Sequence, residues 1–400
     1  MIAAEHVTEM LSKVDGFIYP NELELNWGVL IVLYPYITGL VAGAFILASL
    51  ERVFKIKALK PTYLIALLSA LAFMLVATMP LISHLGQPLR AWEIMITPHL
   101  TSAMAIFGFV YLWYLMAVLL VEIWLEYRYD MVIWSQEKKG IMRLIYKMLT
   151  LGVNDTSEKS RRMDEKLGGI VTVIGIPSAF LLHGYVGFIF GSIKANPWWS
   201  TVLMPIVFLF SAIVSGIAMV MLVYMAISYF RKVKLDMKCL DAVGKYLFYI
   251  LLIDFVLESL DQVHRIYEAE ESFDILHMLV NGKLQYTFLI IQGLIGTIIP
   301  LFVLGWLQFY KPNDNLRKTI YGFIGVMVLV GIFFMRWNVV IGGQLFSKSF
   351  LGFTTFKLEM IGGEGWLVGL MWMVIPILIL IVLLRLLPPW KRAPELEHVD

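Results

Sequence analysis

Nine long apolar runs constrain this chain more than any other feature of its sequence. They cover roughly residues 27–50, 63–84, 101–124, 168–190, 201–229, 246–264, 286–309, 320–334 and 366–387. A helix of about 20 mostly apolar residues crosses the roughly 30 Å hydrocarbon core of a bilayer, whereas the strands of a membrane barrel alternate in hydropathy. We therefore predict an all-α integral membrane protein with about nine transmembrane helices. The Gly-containing segment 336–365 holds either a loop, a re-entrant piece or a tenth span.

The composition supports the membrane assignment and excludes several kinds of site. Hydrophobic residues make up 60% of the 400 residues and charged residues only 16%, against about a quarter in soluble domains. The single cysteine, Cys239, rules out an iron–sulfur cluster or a Cys-based zinc site held by this chain alone. We expect no metal site, and nothing in the sequence supports nucleic-acid binding.

The distribution of lysine and arginine predicts the topology. Of the 32 basic residues, 24 fall in segments 51–60, 125–167, 230–245 and 310–319 and in the tail from Arg385. The positive-inside rule places these segments in the cytoplasm. The chain is then a multi-pass protein of the cytoplasmic membrane, with its N-terminus outside and its C-terminus inside.

Small residues in two of the runs suggest an internal repeat. The first run contains T-G-L-V-A-G-A-F and the fifth contains S-A-I-V-S-G-I-A, and such stripes let membrane helices approach closely. Small residues are also common in membrane helices generally, which is the alternative. The organisation that we predict is an extracytoplasmic segment 1–26, a first four-helix bundle 27–190 with a cytoplasmic loop 125–167, a second four-helix bundle 201–335, an extracytoplasmic segment 336–365, a ninth helix 366–387 and a cytoplasmic tail 388–400.

Two local patterns bear on the membrane surface. Trp198 and Trp199 lie in the short turn between the fourth and fifth runs, and paired indoles are typical of a membrane–water interface. The loop 125–167 contains the amphipathic stretch I-M-R-L-I-Y-K-M-L. That stretch is typical either of a helix lying on lipid headgroups or of a docking surface for a cytoplasmic partner.

Histidine and tyrosine side chains gather at the predicted outer ends of the early runs. His183 and Tyr185 end the fourth run, His84 ends the second, and Tyr34 lies near the start of the first. A quinone head group needs a hydrogen-bond donor at its carbonyls and a nearby group that exchanges protons. These four side chains are therefore candidate quinone-binding residues. The alternative is that His84 caps a helix and Tyr185 belongs to an interfacial aromatic belt.

Acidic side chains gather in the sixth run. Four ionisable residues at i, i+4, i+7 and i+11 share one face of this predicted helix: Asp254, Glu258, Asp261 and Arg265. Ionisable groups are costly inside a membrane and therefore mark functional sites. Either the acids line a proton path, or they pair with bases such as Arg265 and Arg336, or the end of the helix is misassigned and the Asp261–Arg265 end is solvated at the outer surface. The candidate proton pathway comprises Asp254, Glu258, Asp261, Glu122 and Arg336.

Three motifs resemble the NrfD/PsrC family, the membrane quinone-reactive subunits of polysulfide reductase and related complexes. They are H-L-G-Q-P-L-R-A-W at 84–92, H-G-Y-V-G-F-I-F-G at 183–191 followed by P-W-W, and R-W-N-V-V-I-G-G-Q at 336–344. The resemblance covers roughly residues 27–344. The length, the extra C-terminal helix and the last motif are most similar to the longer DsrP/Hme-type branch, from membrane complexes associated with sulfite reduction.

The resemblance implies a fold and a site. It implies two four-helix bundles, no haem or iron–sulfur cluster in this chain, and menaquinone at the outer end of the first bundle. Tyr185 falls at the family's quinone-contacting tyrosine, and Tyr34 stands where polysulfide reductase has a histidine on its first helix. The implied partners are an extracytoplasmic ferredoxin-like iron–sulfur subunit, a multihaem cytochrome c, and other membrane or cytoplasmic subunits of the same complex.

We therefore predict a membrane subunit, not catalytic alone, of an anaerobic respiratory complex of sulfur metabolism. It would bind menaquinol or menaquinone near the outer face and exchange electrons with an external partner, with proton movement as a coupled process. Two alternatives stay open. One is an ion- or proton-translocating transporter-like subunit, and the other is a passive membrane anchor of an oxidoreductase.

Overall fold

The structure is a computed structural model that describes residues 14–97, 99, 101–268, 272–363 and 365–392. Eight helical stretches in these ranges are long and apolar enough to cross a membrane: Val29–Arg52, Lys57–His84, Ala105–Glu137, Glu158–Gly191, Met204–Phe230, Gln285–Phe309, Asp314–Gln344 and Trp366–Leu386. Each corresponds to one of the nine predicted runs. The predicted all-α class with membrane-spanning helices is confirmed.

Most elements are α-helices. They are α1 (Val29–Arg52), α2 (Lys60–Met74), α3 (Met79–His84), α4 (Glu93–Ile96), α5 (Ala103–Trp113), α6 (Leu120–Glu137), α7 (Gly140–Leu149), α8 (Glu158–Gly191), α9 (Met204–Phe230), α10 (Met237–Glu268), α11 (Phe273–Asn281), α12 (Ile299–Phe309), α13 (Asp314–Val340) and α14 (Trp366–Leu386). Short 3-10 turns cover Pro20–Glu22, Lys57–Leu59, Pro88–Arg90 and Gly342–Gln344. A π-helical segment, Tyr114–Leu119, joins α5 to α6, and a second, Gln285–Ile298, leads into α12.

The remaining predicted run, the sixth, lies within α10. This helix has 32 residues and is therefore long enough to cross a bilayer. It is not among the eight apolar stretches because its membrane-length part carries three carboxylates, Asp254, Glu258 and Asp261. Its place in the membrane therefore depends on what these acids contact in neighbouring helices.

Several helices extend beyond their predicted ends. The third and fourth runs continue to Glu137 and begin at Glu158, so most of the predicted loop 125–167 is helical, and its amphipathic stretch forms α7. The apolar pattern ends the eighth run at Phe334, but α13 continues to Val340. Arg336 is thus part of a helix and not of the loop that follows. The polar residues after Phe334 remain helical because neighbouring helices supply hydrogen-bond partners for them.

The helices α1 and α9 cross at the small residues that the sequence pattern singled out. A Cβ atom on Gly43 would lie 2.8 Å from the Cα atom of Gly216, and a Cβ on Gly216 would overlap the backbone of Gly43. The membrane-length part of α1 is 94% buried, so it is the central helix of the molecule. Helices α2, α8, α9, α13 and α14 all pack against it.

A cap formed by residues 14–27 and 341–354 covers the N-terminal end of α1. Its strands β1 (Asp15–Gly16) and β2 (Gly352–Phe353) pair antiparallel. Gln344 closes the cap, because its side chain accepts from the backbone N–H of Trp27 (3.0 Å) and donates to the Trp27 carbonyl (3.0 Å). We call this the cap end of the molecule, and the opposite end, with α7 and residues 387–392, the tail end. The predicted segments 1–26 and 388–400 lie partly outside the described residues.

The Gly43–Gly216 crossing predicts a specific sensitivity to a single methyl group. Gly216→Ala should lower the stability of the protein by about 1–3 kcal/mol, because the added Cβ has only backbone atoms of α1 to displace. Thermal unfolding in detergent micelles measures this effect. Gly169→Ala on α8 is the matched control, since a Cβ there meets nothing within 4 Å. Equal melting temperatures for the two variants would contradict the crossing.

Candidate functional site

An aromatic group stands at the cap end of α1, α5 and α8. The ring of Phe107 lies edge-on to Tyr34, with centroids 5.2 Å apart, and nearly parallel to Tyr185, with centroids 6.5 Å apart. The Tyr34 hydroxyl is buried and, among the residues that the structure describes, has no hydrogen-bond partner. Leaving a buried donor unpaired costs about 1–3 kcal/mol. Two predicted quinone-binding residues, Tyr34 and Tyr185, therefore contact the same ring and form an aromatic wall with it, and the hydroxyl of Tyr34 is a hydrogen-bond donor that none of the described residues uses.

The surroundings of this wall are apolar and open to the side. Ile106 and Phe109 flank Phe107 on α5 and are exposed, as is Phe188 one turn beyond Tyr185 on α8. On a helix that crosses a bilayer, exposed apolar side chains face acyl chains. His84, the last residue of α3, is half-buried and stands at the same end of the molecule.

His183 points away from Tyr185, because residues two apart on a helix are separated by about 200°. Its ring is fully buried, with Nδ1 3.4 Å from Oγ1 of Thr38 and Nε2 3.0 Å from Nη2 of Arg336. A guanidinium only donates, so Nε2 must accept, and the imidazole is neutral with its proton on Nδ1. The four predicted quinone residues are thus divided: Tyr34 and Tyr185 share a wall, His84 stands at the same end of the molecule, and His183 lies between α1 and α9.

Arg336 is fully buried among helices α8, α9 and α13. Its Nη2 also donates to Ser211 Oγ (2.7 Å) and to the Phe208 carbonyl (3.2 Å), and its guanidinium lies 4.0 Å from the centre of the Phe208 ring. Within the described ranges, no carboxylate comes within 4.0 Å of it. A membrane-buried cation without an ion pair is costly and indicates a functional role. The alternative that the acids pair with Arg336 therefore finds no direct contact here.

The acids of α10 face the second π-helical segment, Gln285–Ile298, and α13. Asp254 is buried, and its Oδ1 has no hydrogen-bond partner among the described residues. Both oxygens of Glu258 accept from Nε2 of Gln292, at 3.4 and 3.3 Å, and Gln292 Oε1 accepts from Nδ2 of Asn338 at 2.8 Å. The result is a chain of polar groups that leads from Glu258 to α13. The described part of the chain contains no group of three or more His, Cys, Asp or Glu that could hold a metal ion.

Two neighbouring volumes lie between Glu258 and the cap end. A volume of about 60 Å³ lies against Glu258, Gln292 and Asn338. It has room for about two water molecules at roughly 30 Å³ each. A wider groove of about 1070 Å³ opens beside it, between the turn that follows α8 and the helices α10 and α11. Both volumes are lined by Asp261 and Arg265, which stand at the boundary between them.

An ion pair occupies that boundary. Arg265 Nε donates to Asp261 Oδ2 at 2.9 Å, and Thr201 Oγ1 donates to Asp261 Oδ1 at 2.6 Å. Arg265 also donates to the carbonyls of Pro197 and Trp198, so one side chain ties the end of α10 to the turn. The ion-pair alternative thus holds for Asp261, while Asp254 and Glu258 have no such base within the described ranges.

The paired tryptophans of the turn are buried rather than exposed to lipid. The indole N–H of Trp198 donates to the Asn338 carbonyl (2.9 Å), and that of Trp199 donates to the Val339 carbonyl (2.6 Å). These are last-turn carbonyls of α13, which have no partner within the helix. The two indoles therefore cap a neighbouring helix, and their depth relative to the membrane–water interface stays a prediction.

Glu122 stands apart from the other predicted proton-pathway residues. It is fully buried near the tail end, where Oε1 accepts from Thr172 Oγ1 (2.8 Å) and from the Tyr63 hydroxyl (3.3 Å). Its Oε2 has no partner in the described part of the chain. The predicted pathway residues therefore occupy two separate places, one at each end of the helices.

Sequence reasoning missed four residues of this site. Phe107 gave no signal, because one aromatic residue among many in an apolar run is not distinctive. Thr38 lies four residues after Tyr34 and shares its helix face, which is a usable signal. Gln292 and Asn338 are uncharged, and a search for proton-pathway residues among ionisable groups does not find them.

Comparison with known proteins gives a consistent result. The family model described as "Polysulphide reductase, NrfD" matches residues 20–348. A selenate reductase subunit of Mesobacillus selenatarsenatis is 30% identical over 324 residues, which are 79% of this chain and 73% of that protein. A putative dimethyl sulfoxide reductase membrane subunit of Halobacterium salinarum is 27% identical, over 56% of this chain and 48% of that protein. An NrfD homolog of Haemophilus influenzae is 24% identical, over 80% and 95%.

The environment of Arg336 predicts that a substitution that keeps the positive charge lowers the stability of the protein more than one that removes it. Arg336→Lys leaves a buried cation on a side chain that is one bond shorter, so its ammonium ends short of the position from which Nη2 contacts Ser211, Phe208 and His183. Arg336→Met removes the charge and keeps an unbranched apolar stem. We expect Arg336→Lys to be the less stable variant by about 1–3 kcal/mol. Thermal unfolding in the same detergent gives the order, and a more stable lysine variant would contradict this account.

Proposed function

This chain belongs to the NrfD/polysulphide reductase family of membrane subunits, and from that premise we propose that it is the quinone-reactive membrane subunit of a reductase complex. The observation that carries the proposal is the buried Tyr34 hydroxyl, which lacks a partner among the described residues and stands beside Tyr185 on an aromatic wall that borders lipid. A carrier that arrives through the bilayer meets this wall without crossing water.

The side chains at this wall fit a quinone head group such as that of menaquinone. The Tyr34 hydroxyl would donate a hydrogen bond to a carbonyl oxygen, while the rings of Phe107 and Tyr185 would pack against the flat head. His84, at the same end, is the candidate for a second polar contact. When bound, menaquinone would supply two-electron redox chemistry coupled to proton exchange. This chain's part is to bind, orient and exchange protons.

His183 acts from behind the wall in this proposal. Its Nδ1–H faces Thr38, whose hydroxyl donates to the Tyr34 carbonyl at 3.0 Å. Its Nε2 is held by Arg336. The guanidinium keeps the imidazole neutral and fixes which nitrogen carries the proton. His183 and Arg336 would thus position the α1 turn that presents Tyr34, and connect it to α9 and α13.

We propose the cap end as the extracytoplasmic side of the cell membrane, with the N-terminus outside and the C-terminus inside, because 24 of the 32 basic residues fall on segments of the tail end. Electrons would then pass to or from a partner at the cap end, an iron–sulfur subunit of ferredoxin type or a multihaem cytochrome c. Two relatives carry names of reductase subunits, which supports a place for this chain beside other subunits of a reductase complex.

Proton movement is the second part of the proposal. Glu258 has the cavity of about 60 Å³ beside it, and the Asp261–Arg265 pair separates that cavity from the open groove at the cap end. A proton would pass between Glu258 and the groove through waters in the cavity when this pair opens. Asp254 lies one turn deeper than Glu258 and would be the next proton-exchanging group. Glu122 would exchange protons near the tail end.

The quinone proposal predicts the effect of removing one hydroxyl. In the purified complex, Tyr34→Phe should slow menadiol-dependent reduction of the partner about 2- to 12-fold and lower the bound menaquinone, because one hydrogen bond is worth about 0.5–1.5 kcal/mol. Tyr229→Phe, an exposed tyrosine at the tail end, is the control. Unchanged rate and quinone content in Tyr34→Phe combined with Tyr185→Phe would instead indicate a passive anchor.

The proton proposal predicts a change in stoichiometry. In proteoliposomes holding the whole complex, Asp254→Asn with Glu258→Gln should lower the number of protons moved per electron, because neither amide exchanges a proton. Asp274→Asn, an exposed acid at the start of α11, is the control. A ratio equal to that of the control variant would show that these acids are structural.

A further inference from the structure

A second pocket lies at the tail end, far from the aromatic wall. Its volume is about 640 Å³, and it is enclosed by the end of α6, by α7 and by the residues that follow α14. None of the residues that line it takes part in the proposed quinone or proton chemistry. What the pocket binds is therefore a separate question.

The walls of this pocket are held by specific contacts. The Tyr146 hydroxyl of α7 donates to the Leu386 carbonyl at 2.9 Å, and the Tyr127 hydroxyl of α6 donates to the Leu387 carbonyl at 3.1 Å. The rings of Trp134 and Tyr146 are 5.3 Å apart. These contacts join the last membrane-length helix to α6 and α7, so the pocket is a built feature of the fold.

The charge of the lining favours an anion. Four bases and two acids line the pocket: Lys138, Arg385, Lys391, Arg392, Asp130 and Glu137. Arg392 is engaged with Asp130 at 2.8 Å and with Glu126 at 3.2 Å. The other three bases are exposed, and they make no ion pair with any residue that the structure describes. Lys138, Arg385 and Lys391 thus remain to contact a ligand, and Glu137 is the one lining acid that offsets their charge.

The pocket borders apolar surface at the end of α14. Leu378 and Val382 are exposed about two turns and one turn before Arg385, which lines the pocket, and they share its helix face. Arg385 lies in the last turn of α14, a helix long and apolar enough to cross the bilayer, so its guanidinium stands at headgroup depth. A ligand that matches both surfaces carries an anionic head and acyl chains.

We propose that this pocket binds an anionic phospholipid, with the phosphate among Lys138, Arg385 and Lys391 and the acyl chains along α14. Basic pockets between membrane helices are known to take such headgroups. The lipid would join the amphipathic helix α7 to the end of α14 and hold both at the membrane surface. This inference is independent of the quinone chemistry.

Native mass spectrometry of the detergent-solubilised complex tests the proposal. We expect phosphatidylglycerol or cardiolipin to stay bound at collision energies that remove phosphatidylcholine. The variant with Lys138→Gln, Arg385→Gln and Lys391→Gln should lose at least about tenfold in lipid retention, as expected for a loss near 1.4 kcal/mol. The matched control changes Lys232, Lys234 and Lys238, three exposed lysines between α9 and the start of α10, to Gln.

A second measurement keeps the test decisive if the triple variant is poorly folded. Phosphatidylglycerol should raise the melting temperature of the unaltered protein, and phosphatidylcholine should not, because only a ligand of the native state stabilises it. Equal retention by the two triple variants, or equal effects of the two lipids, would overturn the proposal. Displacement of the lipid by excess inorganic phosphate would show a free-anion site and overturn it as well.

Discussion

The backbone contact between α1 and α9 is the constraint on which the interior depends. Gly43 and Gly216 let the two helices touch without side chains between them. One turn away, a Cβ on Gly39 would already lie 3.2 Å from Cε1 of His183. The imidazole of His183 therefore fits between α1 and α9 only because both helices carry small residues here, such as Gly39 and Ala212. Arg336 then finds His183 and Ser211 within reach of one guanidinium nitrogen.

This arrangement places two groups of polar side chains, which are costly inside a membrane, on opposite sides of α1. On one side of α1, tyrosines form an aromatic wall that borders lipid. On the other side, a buried cation is held by neutral acceptors, and three acids follow one face of α10. Hydrogen-bond acceptors can hold a guanidinium in place without cancelling its charge, which an ion pair would do. The field of Arg336 therefore acts on both the imidazole of α8 and the acids beyond it.

Hydropathy and charge counting predict most of the helices, because the bilayer imposes a length and a composition on each of them. The same reasoning ends α13 too early, since it treats a buried arginine as a helix end and cannot foresee acceptors from α8 and α9. It also groups His183 with Tyr185, although helical geometry alone separates residues two apart. It does not predict that the tryptophan pair caps α13, because local patterns carry no information about partners 140 positions later in the chain.

The acidic face of α10 has a consequence for how the chain enters the membrane. On insertion scales an aspartate at the centre of a helix costs about 2.5–3.5 kcal/mol. The amide of Gln292, which donates to Glu258, and that of Asn338, which donates to Gln292, belong to segments synthesised afterwards. A nascent chain that stops after α10 thus carries an unsatisfied helix, which must remain beside α9 or at the translocon until the following pair arrives. We therefore expect α10 to settle in the bilayer only after the helices that carry Gln292 and Asn338 have been made.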